Sequence, residues 1–188
     1  MIQSKIELRK YLDADSKNYP FAKNKNAGIK RYVRYLLLRT PSNDQKTIWD
    51  YIVCLRKSEY AINTGRTLLA SYYLRILRKL SYKTGFQIPL NVCGPGLTIW
   101  HWGTIIINDK CKIGANVTIH PLVTIGHKKG ESGAPEIGNN VIICGGSYIV
   151  GSIKVGNNVI ISNNSVVTHD IPDNCMVAGS PARIVKQI

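Results

Sequence analysis

Residues 113–167 read IGANVTIHPLVTIGHKKGESGAPEIGNNVIICGGSYIVGSIKVGNNVIISNNSVV, and a bulky aliphatic residue returns in them every six positions. Ile113, Ile119 and Ile125 keep the step. Ile137, Ile143, Ile149, Val155, Ile161 and Val167 resume it after a gap of twelve, two steps, so the register survives an interruption. Small or turn-forming residues follow them at Gly114, Gly126, Gly138, Cys144, Gly156 and Ser162. A period of six matches neither a helix nor an alternating strand. It predicts a chain that turns a corner every six residues and points one aliphatic side chain inward from each face. That is a β-solenoid of hexapeptide rungs.

Working outward, the repeat has two faults. Ile99 and Ile107 are eight apart, so two extra residues enter the coil around Trp100-His101-Trp102-Gly103. An insertion in a regular coil displaces a side chain from its row, as a bulge does in a sheet. A residue that breaks the packing rule is a candidate for function. The second fault is residues 126–136, GHKKGESGAPE, whose glycines, proline and charges cannot form an inward rung. They predict a polar excursion loop, and loops on a rigid scaffold commonly carry binding. After Val167 the period ends, and residues 170–188 read as a tail that covers the last coil.

Before residue 86 the pattern is helical. A short helix is expected around Ile6 to Leu12, followed by a turn near Pro20. A second lies over Gly28–Arg39, with Ile29, Tyr32, Val33, Leu36 and Leu37 on one face and a stop at residues 40–44. Another carries Trp49, Ile52, Val53 and Leu55 up to Asn63. The last runs from about Arg66 to Lys83 with Leu68, Leu69, Tyr72, Tyr73, Ile76, Leu77 and Leu80 inward, closed by Gly85. The expected organisation is a helical N-terminal cap over 1–85 and a β-helix over 86–188.

Composition limits the function classes. The hydrophobic fraction of 44% supports a core in a chain of 188 residues. No run of eighteen apolar residues appears, and charges occupy the place of a signal-peptide core, so a cytoplasmic protein is expected. The five cysteines (Cys54, Cys93, Cys111, Cys144, Cys175) show no metal-ligand spacing and read as reduced, mostly buried thiols; no metal is expected. Residues 1–85 hold 18 of the 25 Lys and Arg against 6 of the 11 acids, a balance of +12; the remainder carries +2. The aromatics among these basic residues fall at core spacing, and no nucleic-acid motif is present, so no nucleic-acid partner is expected. Two readings of the basic cap stand: a solvated helical face, or a face resting on a membrane surface.

The hexad, the extended loop and the ending Ala178-Gly179-Ser180-Pro181-Ala182-Arg183 together resemble the left-handed β-helix (hexapeptide) acyltransferases. The branch they resemble is that of the serine acetyltransferases and the related capsule and O-antigen acetyltransferases. The resemblance covers about residues 88–188. It implies a left-handed parallel β-helix, a homotrimer of a kind that in some members pairs further, with pairing through the helical cap left open, and acetyl-CoA lying between neighbouring coils as co-substrate. It also implies a histidine that deprotonates the acceptor hydroxyl, and His101 aligns with it. An alcohol is a poor nucleophile until a neutral imidazole takes its proton. A backbone N–H, at Gly145 or Gly146, is expected to hold the oxyanion. His120 is a second catalytic candidate, and His127 a contact for acceptor or CoA. His169, in a polar turn, reads as structural. By the same resemblance Gly145, Ser162, Asn163 and Thr168 line the pantetheine, while Lys128, Lys129, Arg183 and Lys186 meet the phosphates.

Some positions depart from the serine acetyltransferase pattern. Trp100 stands where that family has an aspartate before the histidine. Phe86 stands where it has the aspartate that orients the histidine, and Gly133-Ala134 where an Arg-His pair grips the serine carboxylate. A zwitterionic amino acid needs charge partners at both ends. The tryptophans Trp100 and Trp102 suit a sugar ring instead, so a sugar hydroxyl of a surface polysaccharide or its precursor is the preferred acceptor. Serine, feeding cysteine synthesis, is the alternative, and a non-catalytic trimeric solenoid is the reading of another class.

Overall fold

The structure is a computed structural model and describes residues 1–19, 37, 45–130 and 132–188. The turn near Pro20, the helix expected over 28–39 with its stop at 40–44, and Glu131 of the loop lie outside the described residues, Leu37 excepted.

Three helices precede the solenoid: α1 (Lys5–Asp15), α2 (Gln45–Asn63) and α3 (Thr67–Thr84). Ser4 caps α1 by accepting the Glu7 N–H at 3.1 Å, while the Glu7 carboxylate accepts the Gln3 N–H at 2.7 Å. Gly85 closes α3 in the left-handed conformation at φ 81°, donating its N–H to Ser81. The expected inward face of α3 is corrected in part. Leu77 and Ala70 are buried, but Leu68 is 87% and Tyr72 59% exposed. Among the described residues its main packing partner is α2, so a narrower stripe suffices.

The remainder is a left-handed parallel β-helix of three sheets. The first contains β1 (Phe86–Gln87), β3 (Ile105–Ile107), β6 (Val123–Gly126), β9 (Tyr148–Val150) and β12 (Val166–Val167). The second contains β4 (Lys112–Ile113), β7 (Glu136–Ile137) and β10 (Lys154–Val155). The third contains β2 (Thr98–Ile99), β5 (Thr118–Ile119), β8 (Ile142–Ile143), β11 (Ile160–Ile161), β13 (Cys175–Gly179) and β14 (Ala182–Gln187), and only β13 and β14 pair antiparallel. Each face buries two side chains rather than one: Val117 with Ile119, Val141 with Ile143, Ser147 with Ile149, Ser165 with Val167. Alternate residues of an extended segment share a face, so the position two before each aliphatic is inward as well. That second slot accepts serine and cysteine, which hides it from an aliphatic count.

One corner is built from stacked identical residues. Asn116, Asn140, Asn158 and Asn174 all adopt positive φ, and each of the first three donates its carboxamide to the next at 2.8–3.1 Å. Beside them a Cβ on Gly138 would lie 2.6 Å from the Gly156 carbonyl oxygen, so the coils close only on glycine there.

The cap covers the open end by satisfying the first coil's backbone. The Asp15 carboxylate accepts the N–H groups of Gly96 and Leu97 at 2.7 and 2.9 Å. Tyr19 accepts from the Ile99 N–H at 2.7 Å and donates to its carbonyl at 3.1 Å. Arg56, fully buried, donates to Asp15 (2.8 and 3.3 Å), Glu59 (3.1 Å) and the carbonyls of Cys93 (2.8 Å) and Gly94 (2.6 Å).

Candidate active site

The strand register locates the first fault to the residue. Ile99 pairs with Ile119, twenty positions on, whereas Ile105 pairs with Val123, eighteen on. Counting forward from Ile99 stacks Trp100 on His120. Counting back from Ile105 stacks Gly103 on Pro121, so closely that a Cβ on Gly103 would lie 2.8 Å from the proline Cβ. The two extra residues are therefore His101 and Trp102. The pair divides its tasks. Trp102 is half-buried against the core with the Lys83 ammonium 5.5 Å from its ring centroid, while His101 is exposed. The bulge is tied to the end of α3, where Gly103 donates to Thr84 at 3.1 Å and Ile105 to Gly85 at 3.2 Å.

The next coils continue the corner between the third and first sheets. His120 is half-buried and its N–H donates to Ile143 at 3.0 Å. Burial, and then the nearby His101, lower its pKa, which favours a neutral imidazole. Cys144 and Ser162 stack beneath His120, with Gly145 and Asn163 beside them. The two glycines separate in role. The Gly146 N–H already donates to Pro121 at 3.1 Å, whereas among the described residues the Gly145 N–H makes no hydrogen bond. A Cβ on Gly145 would lie 3.2 Å from the Pro121 oxygen and 3.9 Å from the His120 Cβ, so the bare backbone keeps a narrow cradle beside the imidazole. Ser162 Oγ is buried without a partner. A free N–H, a slot without side chains and an orphaned hydroxyl fit an amide-bearing chain such as pantetheine.

Among the described residues no carboxylate hydrogen-bonds to His101 or His120. Phe86 is fully buried, edge-on to Tyr51 with ring centroids 5.1 Å apart. Ala134 is buried, and a Cβ on Gly133 would lie 2.1 Å from Ser152 Oγ.

The other candidates stand elsewhere on the chain. Thr168 stacks with Val150 and Gly126 at the far edge of the first sheet, next to His127, Lys128 and Lys129. His127 is exposed and its Nδ1 is 3.2 Å from the Asn108 amide. A groove of about 680 Å³ runs from there between α3 and the first sheet, past Arg78, Ser81 and Ile106. His169 is half-buried beyond Thr168. Arg183 and Lys186 are exposed on β14. A single chain thus unites His101, His120, Gly145, Ser162 and Asn163 at one edge of the first sheet. It holds Thr168 and the loop lysines at the other, about 10 Å of strand away. Sequence reasoning missed Leu122, which follows His120-Pro121 with φ 64° and 61% exposure. Asparagine or glycine fills most left-handed corners here, so a leucine at one of them was the available sign. Among the described residues no cluster of three His, Cys, Asp or Glu could hold a metal ion.

Comparison with known proteins agrees with this architecture. Residues 134–169 match the family model "Bacterial transferase hexapeptide (six repeats)". The chain is 44% identical over 144 residues to a serine acetyltransferase of Staphylococcus epidermidis, covering 74% of this chain and 64% of that one. It thus spans somewhat under two thirds of that relative's length. It is 34% identical over 171 residues to a serine acetyltransferase of Staphylococcus aureus strain MSSA476, covering 81% of this chain and 80% of that one. Among solved structures it is similar to the Neisseria gonorrhoeae serine acetyltransferase, with a TM-score of 0.67 and 26% identity over 98% of this chain and 68% of that one. It is also similar to the Brucella abortus serine acetyltransferase in complex with coenzyme A, with a TM-score of 0.62 and 27% identity over 96% of this chain and 66% of that one. On its identity across four fifths of the S. aureus enzyme, the chain belongs to the serine acetyltransferase family.

Proposed function

We propose that this chain transfers an acetyl group from acetyl-CoA to a hydroxyl, with His101 as general base. The observation that carries the proposal is the bulge that moves His101 out of an otherwise regular coil and tethers it through Trp102, next to His120 and the unpaired Gly145 N–H. His101 takes the proton of the acceptor hydroxyl as that oxygen attacks the thioester carbonyl, which typically contributes about 10²–10⁴-fold. The Gly145 N–H holds the developing oxyanion, and CoA leaves as thiol or thiolate. His120 orients the acceptor from the coil below. Ser162 and Asn163 line the pantetheine, and Lys128, Lys129, Arg183 and Lys186 supply positive charge for the phosphates.

A homotrimer completes the site in this reading. The outer rows of the first and third sheets carry exposed Ile106, Tyr148 and Ile142, whereas the second carries Lys112, Glu136 and Lys154. In this reading the copies pack on the two apolar faces. No helix among the described residues is long and apolar enough to cross a membrane, and the cytoplasm is the proposed compartment.

The relatives make serine the first acceptor to assay. A sugar hydroxyl is the second reading, favoured by tryptophans on both sides of His101 and by the lack, among the described residues, of a carboxylate hydrogen-bonded to His101 or His120. CoA release is measured with serine and then with a panel of sugars and oligosaccharides; the acceptor that drives release identifies the class. His101→Ala is expected to abolish turnover while acetyl-CoA binding persists. Undiminished turnover would remove His101 from the mechanism, and failure of the parent chain to bind acetyl-CoA would leave a solenoid scaffold.

A further inference from the structure

We propose that the outer face of α3 docks on an anionic membrane surface. Leu68, Tyr72, Arg75, Lys79 and Tyr82 recur at steps of four and three, which places them in one stripe along the helix. All five are exposed, Leu68 by 87%, Tyr72 by 59% and Tyr82 by 82%. The opposite face already makes the contacts with α2, through Ala70, Tyr73, Leu74 and Leu77, so core packing among the described residues does not account for the stripe. Arg78 flanks it. The 18 residues of α3 contain four Lys or Arg and no acid, and among the described residues no carboxylate pairs with Arg75, Arg78 or Lys79.

Two components of the stripe choose the partner. A soluble polyanion would neutralise the cations yet leave Leu68 and Tyr72 in water. An anionic bilayer surface takes both, the leucine and tyrosines entering the headgroup boundary while the cations meet lipid phosphates and carboxylates. The stripe is also continuous with the candidate active site. Lys83 of the same helix lies over Trp102, and the helix end holds the His101 bulge through Thr84 and Gly85. Docking would therefore bring His101 close to lipid-anchored acceptors. The proposal does not depend on which acceptor is used.

The test is flotation of the full chain with phosphatidylcholine vesicles, with and without phosphatidylserine. Binding is expected only with phosphatidylserine and is expected to weaken with salt. Arg75→Gln with Lys79→Gln should lower the partition coefficient roughly fivefold per residue. Leu68→Ser with Tyr72→Ser should also lower it, and Lys110→Gln with Lys154→Gln should not. Because every substituted residue is exposed, circular dichroism should show an unchanged fold. Equal binding to neutral vesicles, or wild-type binding by the Arg75/Lys79 variant, would overturn the proposal. Wild-type binding by the Leu68/Tyr72 variant would also overturn it, because the apolar residues that single out a bilayer would then contribute nothing. Acetyl transfer to a soluble acceptor by the Arg75/Lys79 variant should equal that of the parent, which separates failure of docking from failure of the catalytic reading.

Discussion

Replacing Arg56 by methionine tests how the cap is fastened to the solenoid. The guanidinium is fully buried and serves Asp15, Glu59 and the carbonyls of Cys93 and Gly94, which belong to three separate segments. Burial alone would lower its pKa, but the Asp15 and Glu59 carboxylates raise it, so it stays charged. Methionine fills much of the volume and restores none of the bonds. Breaking a buried ion pair from one side costs about 3–5 kcal/mol, and each orphaned carbonyl adds about 1–3 kcal/mol. Proton uptake by Glu59, whose pKa burial already raises, offsets part of this. A net loss of about 5 kcal/mol is expected, against a total of about 5–15 kcal/mol for a typical domain. With a urea m-value of about 2 kcal/mol/M, the midpoint falls by about 2.5 M. Circular dichroism and tryptophan fluorescence should be followed together, because Trp49 lies in α2 while Trp100 and Trp102 lie in the first coil. Adding Asp15→Asn and Glu59→Gln removes the orphaned charges and should restore part of the loss. A midpoint shift below about 0.5 M, or equal unfolding of the single and triple variants, would refute the reasoning.

Three other outcomes follow from the geometry. His120 has a lowered pKa in the folded state, so the unfolded chain binds more protons just below the ordinary histidine value. Its contribution to stability is full above about pH 6.5 and is lost as pH falls through the folded pKa; His120→Gln should flatten that part of a stability profile. Burial raises the pKa of all five thiols, those of Cys54 and Cys111 to about 11 and Cys93 to about 12, but Cys144 alone is not fully buried, so it should be alkylated first. Mass spectrometry should show acetyl-CoA protecting Cys144 if the pantetheine runs along its column. Leu122→Asn relieves a leucine held at φ 64° and should stabilise the chain by about 1 kcal/mol in urea titration; a loss of stability would show that the leucine makes contacts beyond the single chain.

The solenoid was legible because its repeat is imposed by inward packing, and inward packing selects by hydrophobicity. The His101 fault was legible for the same reason, since two surplus residues between Ile99 and Ile107 cannot be hidden in a six-residue period. The Arg56 cluster was not. On a helix, Arg56 and Glu59 three apart look like an exposed pair, and only the fold shows Asp15 arriving from a different helix to bury them. Leu68 and Tyr72 mislead in the opposite sense, because periodicity marks apolar residues without saying whether a partner waits for them. At the candidate site the residue types were visible in the sequence, but their division between two edges of the first sheet depends on the register, which the sequence does not display.

The stacked asparagine and glycine corner gives this molecule a unit of length. Each coil there presents to the next the same carboxamide and the same bare backbone that it receives from the one before. A copy of residues 139–156 inserted after Gly156 would place the sequence Gly-Asn-Asn at both of its junctions and would move the cap and the tail apart by about 4.8 Å. The distance between the two ends is therefore quantised, and adding or removing whole coils would change the reach of the protein in fixed steps.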